Sequence, residues 1–409
     1  LVLSEGKKQL ISMGAWLLIW PDKAYINTKD LTDFGSLENK RVTEGEVSFA
    51  LCRPDGTVYS GYLAADEAPE EPEAGSLWLD TGGDETALRQ YGEDGWTAVD
   101  DVCVRMNAAG IGIGFTAGDG VAVSGCRETA LNGSFPLRSV EDDYVVVTAL
   151  PRSLSSQSDP VTVERSVPDM DYVVESGNRL WGCKYGIVNG QAVNAIYASK
   201  LGDFKNWNCY AGLSTDSYAA SRGSDGAFTG AADYLGNPLF FKENCMERVY
   251  PSASGAHQIV TVQCAGVKSG SSGSLRVVDG KLYYHSQGGV CVFDGSMPVH
   301  ISQALGEMRY HNAVAGALDG SYYLSAADEN DAWHLLVLDT RQGLWYREDG
   351  VEAVGFAPWG GDLYCLTAAG RLLAMKGSGE NREGPVQWLA ETGELGLDAP
   401  ESRYLVRLS

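Results

Sequence analysis

The chain has 409 residues, with 54 Asp+Glu against 31 Lys+Arg, a formal charge of −23, 44% hydrophobic residues and 50 Gly. That charge repels phosphate backbones and anionic lipid, which excludes sequence-specific nucleic-acid binding; the longest apolar run, Ala15 to Trp20, is far short of the roughly 20 residues needed to span a bilayer. Glycine, about one residue in eight against a usual share of about 7%, indicates frequent tight turns.

Short apolar runs between Gly, Asp and Asn turns replace any helical periodicity, so the expected fold class is all-β. The chain opens in mid-pattern with LVLSEGKKQLISMG and has no signal-peptide layout, which suggests a piece of a longer protein. One unit then recurs: an apolar strand, a turn, a second strand rich in aromatic residues, another turn and a third strand. Its first copy is ISMGAWLLIWPDKAYINTKD from Ile11. Between about Ser36 and Arg165 the pattern is lost, which predicts an inserted β-rich domain over residues 36–165.

Within the insert, VSFALCRPDGTVYSGYL predicts a hairpin around Asp55-Gly56, and DEAPEEPE is a solvated acidic loop. GSLWLDTGGDETALRQYGEDGWTAV predicts a three-stranded meander, while IGIGFTAGDGVAVSGC and DDYVVVTAL read as strands of a compact barrel or sandwich. The glycines of GIGIGF from Gly110 fall in a strand-like run without the following helix that a phosphate cradle needs.

The repeat returns at Val167, with copies starting at Asp171, Phe228, Ser274, Asn312 and Glu352. Starts separated by about 40 to 60 residues are the period of four-stranded propeller blades, which predicts a β-propeller of six or seven blades. The second-strand aromatics, among them Trp181, Phe240, Phe241, Tyr284 and Tyr322, are expected to pack between blades rather than to stack on a ligand. The domain expectation is therefore 1–35 for a first blade segment, 36–165 for the insert and 166–385 for the remaining blades. Residues 386–409 would form a closing strand or a linker to a further domain.

Nine cysteines without a C-x-x-C pair argue against a disulfide framework and a zinc site, and read as buried small hydrophobes in a reducing compartment. Five histidines, His257, His285, His300, His311 and His334, share no metal-ligand spacing and read as incidental polar residues. No nucleophile elbow, Walker loop or H-E-x-x-H motif occurs, so no catalytic, cofactor or metal residue is assigned and the expectation is a non-enzyme.

The phrases SMGAWLLIWPDKAYINTKDLTDFGSLE, NRLWG and IYASKLGDFKNW, with STDSYAASRGSDGAFTGAADYLGNPLFFKENCMERVYP, resemble virion proteins of tailed phages and of prophages in Gram-positive bacteria. That resemblance implies a structural component of a tail or neck, assembled in the bacterial cytoplasm, with other virion proteins and further copies of the chain as partners. The alternative it leaves open is a host-surface glycan-binding or glycan-cleaving propeller. For that reading Trp207, Tyr210, Asp216 and Asp225 are the candidate glycan contacts, because aromatic faces stack on sugars and paired carboxylates cleave glycosidic bonds.

Overall fold

A computed structural model describes residues 1–306 and 309–375. The chain is all-β and forms a β-propeller interrupted once by a β-rich insert. Among the described residues there are six blade sheets, each an antiparallel meander whose strands pair in chain order. The first blade runs through Gln9–Met13, Trp16–Trp20, Ala24–Asn27 and Asp30–Ser36. The second comprises Tyr172–Ser176, Arg179–Val188, Gln191–Ala198 and Tyr218–Ser221. The third comprises Gly230–Tyr234, Asn237–Phe241, Cys245–Tyr250 and Gln258–Gln263.

The fourth blade is Arg276–Val278, Lys281–Ser286, Gly289–Phe293 and Val299–His300, and the fifth His311–Leu318, Ser321–Ala327, Trp333–Asp339 and Leu344–Asp349. Three strands of the sixth are described, Ala353–Trp359, Asp362–Thr367 and Leu372–Ala374. The expectation for residues 386–409 lies outside the described residues.

The second strands carry the aromatic filling between blades. Trp181 and Phe240 share one buried cluster, Phe241 and Tyr284 the next, and Tyr283 and Tyr322 the third. Each ring spans two blades, because one sheet cannot bury both its faces alone. Buried hydroxyls are satisfied across the same seams: Tyr284 Oη donates to the Ala265 carbonyl at 2.7 Å and Tyr322 Oη to that of Ser274 at 2.8 Å.

The insert lies between complete blades, because the first copy of the repeat acquires a fourth, mostly polar strand, Asp30–Ser36, that the apolar pattern does not reveal. The chain leaves through Asn39–Val42 and returns through Thr162–Arg165, which pair antiparallel, Asn39 opposite Arg165. These two strands form one edge of a seven-stranded sheet, followed in order by Gly120–Ser124, Gly133–Glu141, Tyr144–Val147, Cys103–Asn107 and Ser48–Cys52. The meander Leu77–Asp80, Ala87–Gly92 and Gly95–Ala98 forms as expected and gains a parallel partner, Leu63–Ala65. Leu79 and Leu88 of that small sheet join Leu51, Val104, Val121 and Val147 in one core, so the insert is a single packed unit.

Two local expectations are corrected. The Asp55-Gly56 turn forms, but beyond it only a bridge between Cys52 and Val58 remains, and Ser48–Cys52 instead pairs with Cys103–Asn107. GIGIGF is a series of turns, not a strand. A Cβ at Gly112 would lie 1.9 Å from the Glu141 carbonyl oxygen, so glycine serves close backbone contact there.

The first and sixth of the described blades share one feature. One face of the first blade packs on the second through Ile11, Met13, Leu18 and Trp20. Its opposite face, set by the pairings Ser12 to Leu17, Leu17 to Ile26 and Ile26 to Phe34, leaves Leu10 and Phe34 exposed. In the sixth blade Leu363 and Cys365 are fully buried, whereas the opposite face presents Trp359 at 75% exposure together with Leu366 and Leu372. Trp359 packs against Tyr364 there, ring centroids 6.1 Å apart.

Candidate functional site

Three of the four residues singled out for glycan contact, Trp207, Tyr210 and Asp216, sit on the loop from Ser199 to Ser217, and two of them, Trp207 and Asp216, build the fold. Trp207 is 2% exposed; its indole N–H donates to the Phe204 carbonyl at 2.9 Å, and its ring meets Trp20 edge-on at 6.3 Å between the first two blades. Asp216 accepts the N–H groups of Ala211 at 2.6 Å and Leu213 at 2.9 Å, closing the loop on itself. The buried Arg179 guanidinium donates to the carbonyls of Ser199, Ser214 and Asp216, and burial pulls its pKa down. Tyr210 and Asp225 are exposed. The loop thus presents one aromatic side chain to solvent, not a Trp–Tyr platform beside paired carboxylates.

The same loop clamps the insert. Asn206, fully buried, accepts the Gly120 N–H at 2.6 Å and donates to the Gly118 carbonyl at 3.2 Å. A Cβ at Gly120 would lie 2.7 Å from the backbone of Asn208 and Cys209, so the two backbones are in contact. Behind this contact Arg165 ion-pairs with Asp119, both side chains at most 5% exposed, and donates to the Leu37 carbonyl at 3.0 Å. A buried pair is costly to break from one side and holds the insert's returning strand to the Asp119 turn, while the contact to the second blade is made by Asn206.

A cavity lies elsewhere, between the fourth and fifth blades, with a volume of about 970 Å³. The end of the Lys281–Ser286 strand and the turn after it contribute His285, Gln287 and Gly288. The outer strand of the fourth blade and the connection to the fifth supply His300, Ser302, Gln303, Leu305, Arg309 and Tyr310, and the fifth blade supplies Glu329. Local bonds set these groups: Ser302 Oγ accepts the Val290 N–H at 2.9 Å, Gln303 Nε2 donates to the His300 carbonyl at 2.8 Å, and Lys268 Nζ donates to the Tyr310 carbonyl at 2.7 Å.

His285 is 2% exposed, with Nδ1 3.1 Å from Ser271 Oγ. Burial, reinforced by the positive charges of Lys268 and His311, pushes its pKa down to about 4, so the ring is neutral at pH 7. The Ser271–His285 contact resembles a nucleophile and its base, but Ser271 is fully buried and its Oγ accepts the Ala313 N–H at 3.1 Å, which marks a structural hydroxyl. Cys291 lies 3.4 Å from His300 Nδ1, and burial raises its pKa, the reverse of an activated thiolate. No group of three or more His, Cys, Asp or Glu among the described residues is placed to hold a metal ion. The cleft is lined mainly by side chains that donate and accept hydrogen bonds.

Sequence reasoning passed over these residues. The available signal was positional: four of the five histidines fall between residues 285 and 334, on neighbouring blades. The nine cysteines are free thiols and eight are buried, with burial raising Cys126 and Cys264 to about 11 and Cys52 to about 12.

No family model and no curated protein matches the chain. Similar solved structures include a mutant puromycin hydrolase complexed with PGG, at 11% identity and a TM-score of 0.30, covering 90% of this chain and 58% of that one. The endosialidase of phage phi92 is similar at 8% identity and a TM-score of 0.26, over 69% of this chain and 50% of that one. A second puromycin hydrolase structure gives 12% identity, a TM-score of 0.23 and coverage of 90% and 58%. The chain thus spans between half and three fifths of the length of these proteins.

Proposed function

We propose that the chain is a non-catalytic scaffold module of a tailed-phage or prophage particle, placed in its tail or neck and bonded to neighbouring particle subunits. The observation that carries this reading is the exposed apolar side chains on the outward faces of the first and sixth described blades, Leu10 and Phe34 on one and Trp359, Leu366 and Leu372 on the other. Exposed apolar surface of this kind marks protein contact. The partner that fits is a β-rich subunit, or another copy of the chain, presenting an apolar sheet face of its own. Rigid docking of the insert supports the same role, since a scaffold holds its contact surfaces in fixed relative positions. The sequence likeness of the first-blade and NRLWG…IYASKLGDFKNW phrases to virion proteins supplies the particle.

Purified particles from a lysogen carrying the gene, examined by peptide mass spectrometry and immunogold electron microscopy, test the reading. Label confined to the tail or neck is the expected result. Particles lacking the protein, or turnover of polysaccharide or peptide substrates by the purified chain, would overturn it.

A further inference from the structure

We infer that the cleft between the fourth and fifth blades is a binding site for a neutral oligosaccharide, a function separate from the scaffold role. Three features of the cleft lead there. Its volume of about 970 Å³ sits at the upper end of the range of about 300–1,000 Å³ for small-ligand sites, room for a short run of sugar units. Its wall offers the mixture of donors and acceptors that sugar hydroxyls require: the amides of Gln287 and Gln303, the Ser302 hydroxyl and the His285 imidazole, with Leu305 and Tyr310 as apolar patches. A site for an apolar ligand would reverse those proportions.

The second feature is the orientation of His285. The Ser271 hydroxyl accepts the Ala313 N–H and lies 3.1 Å from His285 Nδ1, a contact in which either group can be the donor. An imidazole that accepts at Nδ1 carries its proton on Nε2. His285 Nε2 makes no hydrogen bond among the described residues and the ring lines the cleft, so in either tautomer Nε2 can meet a ligand hydroxyl, as donor or as acceptor.

The third feature is charge. Arg309 and Glu329 line the cleft, and neither has an ion-pair partner among the described residues. They balance each other, while the chain as a whole carries −23. A polyanionic glycan would enter against that field, whereas an uncharged one would not. Arg309 and Glu329 then act as a donor fork and an acceptor pair on sugar hydroxyls.

The test is an array of neutral and acidic oligosaccharides probed with the purified chain, followed by calorimetry of the best neutral binder against the wild type, Gln287→Ala, Gln303→Ala and His285→Gln. Circular dichroism confirms that each variant is folded. Binding of a neutral oligosaccharide that weakens at least tenfold in Gln287→Ala or Gln303→Ala, with hydrogen-exchange protection of residues 285–305, is expected. No neutral binder, a preference for acidic glycans only, or affinity unchanged in both glutamine variants overturns the assignment. None of these results bears on whether the protein is found in particles, so the two readings fail separately.

Discussion

Lowering the pH from 7 to 5 should destabilise this protein through His285, and the size of the effect follows from its burial. In the unfolded chain the imidazole titrates near 6.5; in the fold it titrates near 4, because the ring is buried beside Lys268 and His311. Between those values the unfolded state binds more protons than the native state, so stability rises with pH across the window and is lost as pH falls through it. At pH 5 the unfolded imidazole is almost fully protonated and the folded one mostly neutral, a difference of about 2 kcal/mol, against a few tenths at pH 7. His257, whose pKa burial also lowers, contributes in the same direction and must be cancelled. Urea unfolding of the wild type and His285→Gln at both pH values does this, since every other group titrates in both proteins. The wild type should lose about 2 kcal/mol more than the variant between pH 7 and 5. A gap between the two proteins that does not change with pH would refute the reasoning.

Breaking the Asp119–Arg165 pair from one side with Asp119→Ala should cost about 3–5 kcal/mol in the same unfolding assay, because a guanidinium is left buried. The double change Asp119→Leu with Arg165→Met should recover most of that loss, and equal destabilisation in both would count against the argument. Trp207→Ala should cost about 3–5 kcal/mol, read as a lowered unfolding midpoint, because the ring fills the seam between the first two blades. Gly120→Ala should loosen the insert and show as faster proteolysis after residue 36 or before residue 166, since the added carbon meets backbone at 2.7 Å. Trp359→Asp should leave stability within about 0.5 kcal/mol, the side chain being 75% exposed, yet reduce recovery of the protein in purified particles.

The propeller was legible because its signal is local and repeated. Strand pairs such as Lys281–Ser286 with Gly289–Phe293 place short apolar runs on either side of a tight turn, and the next blade repeats the pattern. What escaped was non-local or polar. The outer strand Asp30–Ser36 belongs to the first blade by backbone pairing alone, and its side chains carry no apolar alternation. The pairing of Ser48–Cys52 with Cys103–Asn107 joins segments about fifty residues apart, and the parallel strand Leu63–Ala65 is only three residues long. The cleft was hidden for the same reason: His285, Gln303 and Glu329 converge only once two blades stack, and no spacing along the chain records it. Trp207 and Asp216 misled in the opposite sense. An aromatic ring and a carboxylate in a polar loop look available, yet here the loop folds inward and uses both to hold itself together.

The acid excess acquires a structural use in this fold. A propeller made of four-stranded meanders needs many short turns, and aspartate closes a turn by accepting the N–H two residues ahead. Asp30 does so for Thr32, Asp55 for Thr57, Asp294 for Ser296, Asp328 for Asn330 and Asp339 for Arg341. For the first four, these hydrogen bonds also hold the carboxyl below its ordinary pKa, led by a side-chain partner at Asp30, Asp294 and Asp328 and by the Thr57 N–H at Asp55. Lysine and arginine have no acceptor with which to make that turn, so repetition of the blade raises the count of acids without raising the count of bases. Part of the charge of −23 is therefore a by-product of turn chemistry, spread over the blades, and only the exposed stretch from Asp66 to Glu73 concentrates it. A surface charged in this dispersed way repels like copies, so on the proposed scaffold reading the contacts between subunits are expected at the exposed apolar side chains of the first and sixth described blades.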